Sequence, residues 1–127
     1  MANYTYMNPD ELVELLDKPD SFAKVAVIDC RDSDRDCGFI ANSISMPTIR
    51  CSSEMYEGLA KALFDEKKEI AVFHCAQSLI RGPKGANRFA LAQKKLGYPL
   101  PLVYVLRGGW EAFYNIYGHM RPDLMYV

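Results

Sequence analysis

Apolar positions in this chain fall into two patterns that alternate along its length. Val25-Ala26-Val27-Ile28, Ile70-Ala71-Val72-Phe73 and Leu102-Val103-Tyr104-Val105-Leu106 are unbroken apolar runs, as expected of strands covered on both faces. Between them the apolar residues recur at helical spacing. Leu12, Val13, Leu15 and Leu16 follow an Asn8 cap and Pro9, and Asp17-Lys18-Pro19-Asp20 ends that helix. Met55, Leu59, Ala62 and Leu63 define one side of a helix from Ser53 to Phe64. A longer helix from Pro83 to Leu96 carries Ala86, Phe89, Ala90, Ala92, Gln93 and Leu96, and Gly97 stops it. A short last helix is predicted from Trp110 to Tyr117, with Trp110, Phe113 and Tyr114 in the core. Gly38-Phe39-Ile40 and the segment from Asn42 to Pro47 give a turn and a short strand. Strands alternating with helices predict an α/β fold, a parallel sheet between helical layers, with its functional site at the C-terminal strand edge.

Composition narrows the function classes. A chain of 127 residues, half of them apolar, suits one domain over residues 1–127 with its own core. Fifteen basic and sixteen acidic side chains leave a net charge of -1, and without a basic run or aromatic–basic interleaving no nucleic-acid surface is expected. Met1-Ala2-Asn3-Tyr4 lacks a charged region followed by an apolar run, and no stretch approaches the roughly 20 apolar residues of a membrane span. A soluble cytoplasmic protein is the expectation. Cys30, Cys37, Cys51 and Cys75 occur singly, which fits reduced thiols better than a two-bridge framework. With no Cys-x-x-Cys pair, and His74 far from His119, neither a metal site nor a tightly bound cofactor is expected.

The chemistry concentrates in His74-Cys75-Ala76-Gln77-Ser78-Leu79-Ile80-Arg81-Gly82. This loop joins a strand to a helix, so its unpaired amides and the helix dipole favour an oxyanion, and Arg81 adds a planar fork of donors. The same field stabilises a thiolate nucleophile. Five residues between Cys75 and Arg81 let the chain curl into a bowl whose donors run from Ala76 through Gln77, Ser78, Leu79 and Ile80 to Arg81. Ser78 is positioned to donate to the nucleophile or the leaving atom, while Leu79 and Ile80 are expected to close the bowl against apolar neighbours. His74, next to the nucleophile on an extended strand, points the opposite way and reads as a buried support, with tuning of the thiolate as the alternative. Asp29 and Arg31 are expected to brace the neighbouring strand end as an ion pair, and Gly108 and Gly109 to let the chain pass close to the site. Lys84 and Arg88 read as solvated, or as aids to an anionic substrate where that helix face is open.

Val27-Ile28-Asp29-Cys30-Arg31, Gly38-Phe39-Ile40-Ala41-Asn42-Ser43, Phe73-His74-Cys75 through Arg81-Gly82-Pro83, and Leu106-Arg107-Gly108-Gly109-Trp110 together resemble the rhodanese-fold family. That family holds the cell-cycle dual-specificity phosphatases and the eukaryotic arsenate reductases, and the likeness is strongest to its small protozoan arsenate/antimonate reductases. The resemblance implies a rhodanese-like three-layer domain with a central, mainly parallel sheet, Cys75 as nucleophile and Arg81 as the oxyanion-binding arginine. It also implies thiol-dependent reduction of arsenate to arsenite, and of pentavalent to trivalent antimony, through a covalent adduct on Cys75. Glutathione would be the reductant, and glutaredoxin would regenerate Cys75. Cys30 matches a position that forms a protective disulfide with the nucleophile in related phosphatases; core packing is the competing reading.

A phosphate-monoester phosphatase, acting on protein tyrosine or with dual specificity through a cysteinyl-phosphate, is the alternative, and both activities can share one loop. Cell-cycle phosphatases carry acidic residues within the loop, and Ala76-Gln77-Ser78-Leu79-Ile80 has none, which favours the reductase. A non-catalytic anion-binding domain is the third reading, and the presence of Cys75 argues against it.

Overall fold

The computed structural model describes residues 3–127. In chain order its first half runs β1 (Thr5–Met7), α1 (Pro9–Asp17), α2 (Pro19–Phe22), β2 (Val25–Asp29), a 3-10 turn (Ser33–Cys37), β3 (Phe39–Ile40), β4 (Ile44–Ser45) and α3 (Ser53–Asp65). The second half runs β5 (Ile70–His74), α4 (Arg81–Leu96), β6 (Leu102–Leu106), α5 (Gly109–Tyr117), a second 3-10 turn (Pro122–Leu124) and β7 (Met125–Tyr126). Five strands form a parallel sheet in the order β1-β6-β5-β2-β4, and β3 pairs antiparallel with β7.

Side chains alternate across a strand, so each unbroken apolar run feeds two cores. Ala26, Ile28, Ala71, Phe73 and Val105 pack with Tyr56, Ala60 and Leu63 of α3 and Ala86, Phe89 and Ala92 of α4. Val25, Val27, Val72 and Leu106 pack with Leu12 and Val13 of α1 and Trp110 and Phe113 of α5. The result is the predicted rhodanese-like α/β arrangement, with the sheet between two helical layers. α1 opens with a capping box in which Glu11 accepts the Asn8 amide at 2.9 Å.

Several local expectations shift. In α3 the buried stripe is Tyr56, Ala60 and Leu63, at i, i+4, i+7 spacing, while Met55 stays exposed and Ala62 faces solvent. Leu96 and Tyr114 are also exposed. α4 starts at Arg81, two residues before the predicted Pro83. Pro83 fits there because the first amides of a helix have no partner within it.

Candidate active site

Parallel strands put their C-terminal ends on one edge, and that edge gathers the conspicuous residues. Asp29 registers with His74, so Cys30 and Cys75 leave adjacent strands side by side. The Cys30 amide donates to the His74 carbonyl at 2.7 Å, and both cysteines enter the core shared with α3 and α4. Cys75 is 3% exposed, at the base of a depression of about 300 Å³ lined by Ala76, Gln77, Leu79, Ile80, Arg81 and Glu111.

The start of α5 sets the orientation of the loop. Trp110 and Glu111 donate their amides, each at 3.0 Å, to the carbonyls of Cys75 and Ala76. In a trans peptide the following N–H points opposite to the carbonyl, so the amides of Ala76 and Gln77 turn away from α5. Among the described residues the amides of 76–80 donate to no backbone or side-chain acceptor. Gly109 permits this approach: its φ is +61°, and a Cβ there would sit 2.7 Å from the Ala76 carbonyl oxygen. Gly82 lets α4 close down on the loop base, since a Cβ would lie 3.2 Å from the Cys75 amide nitrogen. Ser78, at φ 57°, is buried, and its Oγ has no hydrogen-bond partner among the described residues. A buried, unpartnered hydroxyl within a run of unpaired amides is an arrangement suited to acceptor oxygens.

Leu79 and Ile80 do not close the bowl on apolar neighbours; they are 73% and 74% exposed. Both sit where the chain turns into α4, and with the Ser78 backbone left-handed their side chains point outward at the rim. Arg81 is the first residue of α4, and its carbonyl accepts from Thr48 Oγ1 at 2.8 Å. Its guanidinium meets Asp34 in a two-point pair, at 3.0 and 2.8 Å. The Asp34 hydrogen bonds, and to a smaller degree the nearby Cys75 sulfur, push the Arg81 pKa up; the same hydrogen bonds hold the Asp34 carboxyl below its ordinary range. Arg81 therefore lies beside the sulfur with its fork shared out to a carboxylate.

Behind the loop lies a buried ionic cluster. Arg31 Nη2 donates to Asp29 Oδ2 at 2.8 Å and to the Gly38 carbonyl at 2.7 Å, and the guanidinium lies 5.0 Å from the Trp110 ring centroid. Burial works to raise the Asp29 pKa, yet the Arg31 hydrogen bonds prevail and the value is lowered. His74 is fully buried, with Nδ1 3.2 Å from the Cys75 carbonyl and Nε2 3.9 Å from Asp29 Oδ2. Burial pushes the imidazole pKa down, and two guanidiniums face the Asp29 carboxylate, Arg31 at 2.8 Å and Arg35 Nε at 3.2 Å from Oδ2. Cys30 has its thiol pushed up to about 12 by burial, against a smaller opposing hydrogen bond from Thr48.

Arg88 Nη1 reaches the carbonyls of Thr48 and Cys51 at 3.4 Å each, and Lys84 is exposed. Among the described residues no group of three or more His, Cys, Asp or Glu side chains is placed to hold a metal ion, and no helix is long and apolar enough to cross a membrane. Asp34 and Thr48 were not among the predicted site residues. Asp34 belongs to the charged run Arg31-Asp32-Ser33-Asp34-Arg35-Asp36, in which sequence alone does not distinguish the acid that faces Arg81, 47 positions away.

A model described as the rhodanese-like domain matches residues 8–116. The chain is 30% identical to the dual specificity phosphatase ibp1 of Schizosaccharomyces pombe, over 99% of each protein. It is also 30% identical to the M-phase inducer phosphatase of that yeast, over 93% of this chain but only 21% of the relative. The solved structure of the As-Sb reductase from Leishmania major superposes with a TM-score of 0.97 at 81% identity, covering 98% of this chain and 86% of that one. A Saccharomyces cerevisiae homologue of single-domain rhodanese and the Cdc25 phosphatase catalytic domain shares the fold at a TM-score of 0.83 and 23% identity, covering 97% and 87%. The matched segment starts at the cap of α1, ends within α5 and carries the Cys75–Arg81 loop between them, and on that footing the chain belongs to the family of rhodanese-like domains.

Proposed function

We propose that this protein reduces arsenate to arsenite and pentavalent to trivalent antimony, with Cys75 as nucleophile and the loop from Ala76 to Arg81 as the oxyanion cradle. The observation that carries the reading is the run of unpaired amides after Cys75, the first two turned away from α5 by the Trp110 and Glu111 contacts, with Arg81 beside the sulfur. The similarity to the Leishmania major As-Sb reductase supports the choice of metalloid substrates.

The chemistry follows from the donors. Loop amides, the Ser78 hydroxyl and Arg81 bind the oxyanion and spread its charge. The Cys75 thiolate forms a sulfur–arsenic bond while an arsenic–oxygen bond breaks, and the departing oxygen takes up protons and leaves as water. Glutathione then adds to the arsenic, its sulfur bonding to arsenic and its proton passing to an arsenic-bound oxygen, with no further oxygen lost. Collapse of that adduct passes two electrons to arsenic: arsenite leaves, and Cys75 and glutathione are joined as a mixed disulfide. Glutaredoxin takes the glutathione by thiol–disulfide exchange and returns Cys75 as a thiolate. No tightly bound cofactor enters this sequence. His74 stays neutral in the core and supports the loop through the Cys75 carbonyl, and Cys30 stands beside the nucleophile as a redox partner.

Phosphatase action is proposed as a side activity, supported by the full-length likeness to the dual specificity phosphatase ibp1. The same thiolate attacks phosphorus, but residues 76–80 contain no carboxyl group to protonate an ester leaving group. The test is to follow arsenite or trivalent antimony, and in parallel phosphate released from an aryl phosphate, with glutathione and glutaredoxin omitted one at a time. Reduction that needs both thiol systems and exceeds phosphate release supports the reading. Robust phosphate release with no reduction overturns it.

A further inference from the structure

Asp34 is a fixed group. Beyond its two bonds to Arg81, its Oδ1 accepts the Asp32 amide at 3.0 Å. Its carbonyl accepts from Arg31 Nη1 at 3.3 Å and from Cys37 Sγ at 3.0 Å. Arg31 is itself buried and anchored on Asp29. When an oxyanion enters the loop, Arg81 has to turn or share its fork, and the carboxylate stays beside the anion.

In-line displacement at Cys75 puts the leaving group on the side of the oxyanion away from the sulfur, toward solvent. Asp34 is held on the guanidinium of Arg81 with its side chain 42% exposed, so its carboxylate meets solvent next to the arginine that would bind the anion. A carboxylate only accepts hydrogen bonds. A phosphate monoester that has lost its second proton, at about pH 6, also only accepts, and the two groups repel. Arsenate and inorganic phosphate near neutrality keep a hydroxyl, and pentavalent antimony in water carries several. Such an anion can turn a hydroxyl to Asp34 while its charged oxygens take Arg81 and the amides.

We propose that Asp34 is a specificity-determining residue of this site, selecting hydroxylated inorganic oxyanions over fully ionised phosphate monoesters. The inference rests on the oxyanion reading of the Cys75 loop but not on which reaction follows binding.

The test is calorimetric titration of the full chain carrying Cys75→Ser, alone and combined with Asp34→Asn or Asp34→Ala, using phenyl phosphate and inorganic phosphate. The pH is set above neutrality, where the ester is a dianion and phosphate keeps a hydroxyl. Removing the carboxylate frees Arg81 for either ligand, so the readout is the ratio of the two affinities. Both substitutions are expected to move that ratio about tenfold toward phenyl phosphate, the size of one charge-assisted hydrogen bond. An unmoved ratio, with or without a general gain in affinity, overturns the proposal. A moved ratio, when the native chain with Cys75 intact reduces no arsenate, defeats the reductase reading and leaves this inference standing; reduction by the native chain with an unmoved ratio does the reverse.

Discussion

The Trp110 amide donates to the Cys75 carbonyl at 3.0 Å, and this contact ties the start of α5 to the residue that follows β5, Cys75 itself. Two consecutive carbonyls of the loop are consumed there, the second by Glu111. The donors that follow them are thereby left for an anion, a pre-organisation achieved by backbone alone.

Gly109→Ala attacks that contact directly. A Cβ would meet the carbonyls of Cys75 and Ala76 from a backbone at φ +61°, so the variant should lose about 1–3 kcal/mol of stability and bind inorganic phosphate about tenfold more weakly. Gly97→Ala is the control, since Gly97 also has positive φ but opens onto empty space. It should cost about 1 kcal/mol and leave phosphate affinity unchanged. Urea unfolding and calorimetry read both effects.

Arg81→Lys keeps the charge and removes the fork. Because a planar two-point donor is replaced by a point charge, kcat/KM for arsenate reduction should fall by about 10²-fold. Arg81→Ala should fall further. Equal activity of the lysine variant would show that charge alone suffices.

Acid should weaken the fold in two successive windows. Burial holds the His74 pKa below its ordinary value of 6.5, so the unfolded chain takes up a proton that the folded chain refuses, and stability falls as pH drops below 6.5. The Asp29 pKa is lowered below 3.8 with Arg31 as its main opposing partner to burial. Its contribution is complete above that unfolded value and is lost as pH falls through the folded one. Urea unfolding across pH should show the upper window vanish in His74→Phe. In Asp29→Asn, which leaves Arg31 buried without its carboxylate, stability should drop by about 3–5 kcal/mol and the lower window should flatten.

Cys30 and Cys75 follow a registered residue pair on neighbouring strands, a separation of about 4.8 Å between backbones that suits a disulfide. Peroxide should convert Cys75 to a sulfenic acid that Cys30 attacks with loss of water. With the Cys30 thiol pushed up to about 12, that second step should quicken as pH rises through the alkaline range. Intact-mass and peptide mapping should find a Cys30–Cys75 bridge in the native chain and none in Cys30→Ser. A Cys37–Cys75 bridge instead would contradict this geometry.

Much of the fold was legible because β2, β5 and β6 are unbroken apolar runs, and such runs arise in strands buried on both faces. The short pairings were not. Thr5–Met7 gains its strand character from Tyr104 to Leu106, 99 positions away, and Met125–Tyr126 from Phe39–Ile40, 85 to 87 positions away, and no local pattern marks them. Cys75 and Arg81 could be chosen from strand, loop and helix order. Leu79 and Ile80 could not be placed, because their direction follows from the left-handed Ser78 backbone. Asp34 escaped notice since its role is defined only by the arginine facing it.

The role of Cys75 is tested most directly by the rate of arsenite formation with glutathione and glutaredoxin for the native chain and for Cys75→Ser, with phosphate affinity measured on both. The serine variant should lose at least about 10³-fold in turnover while still binding phosphate at the unaltered loop amides. A serine variant that reduces arsenate at the native rate would contradict that role.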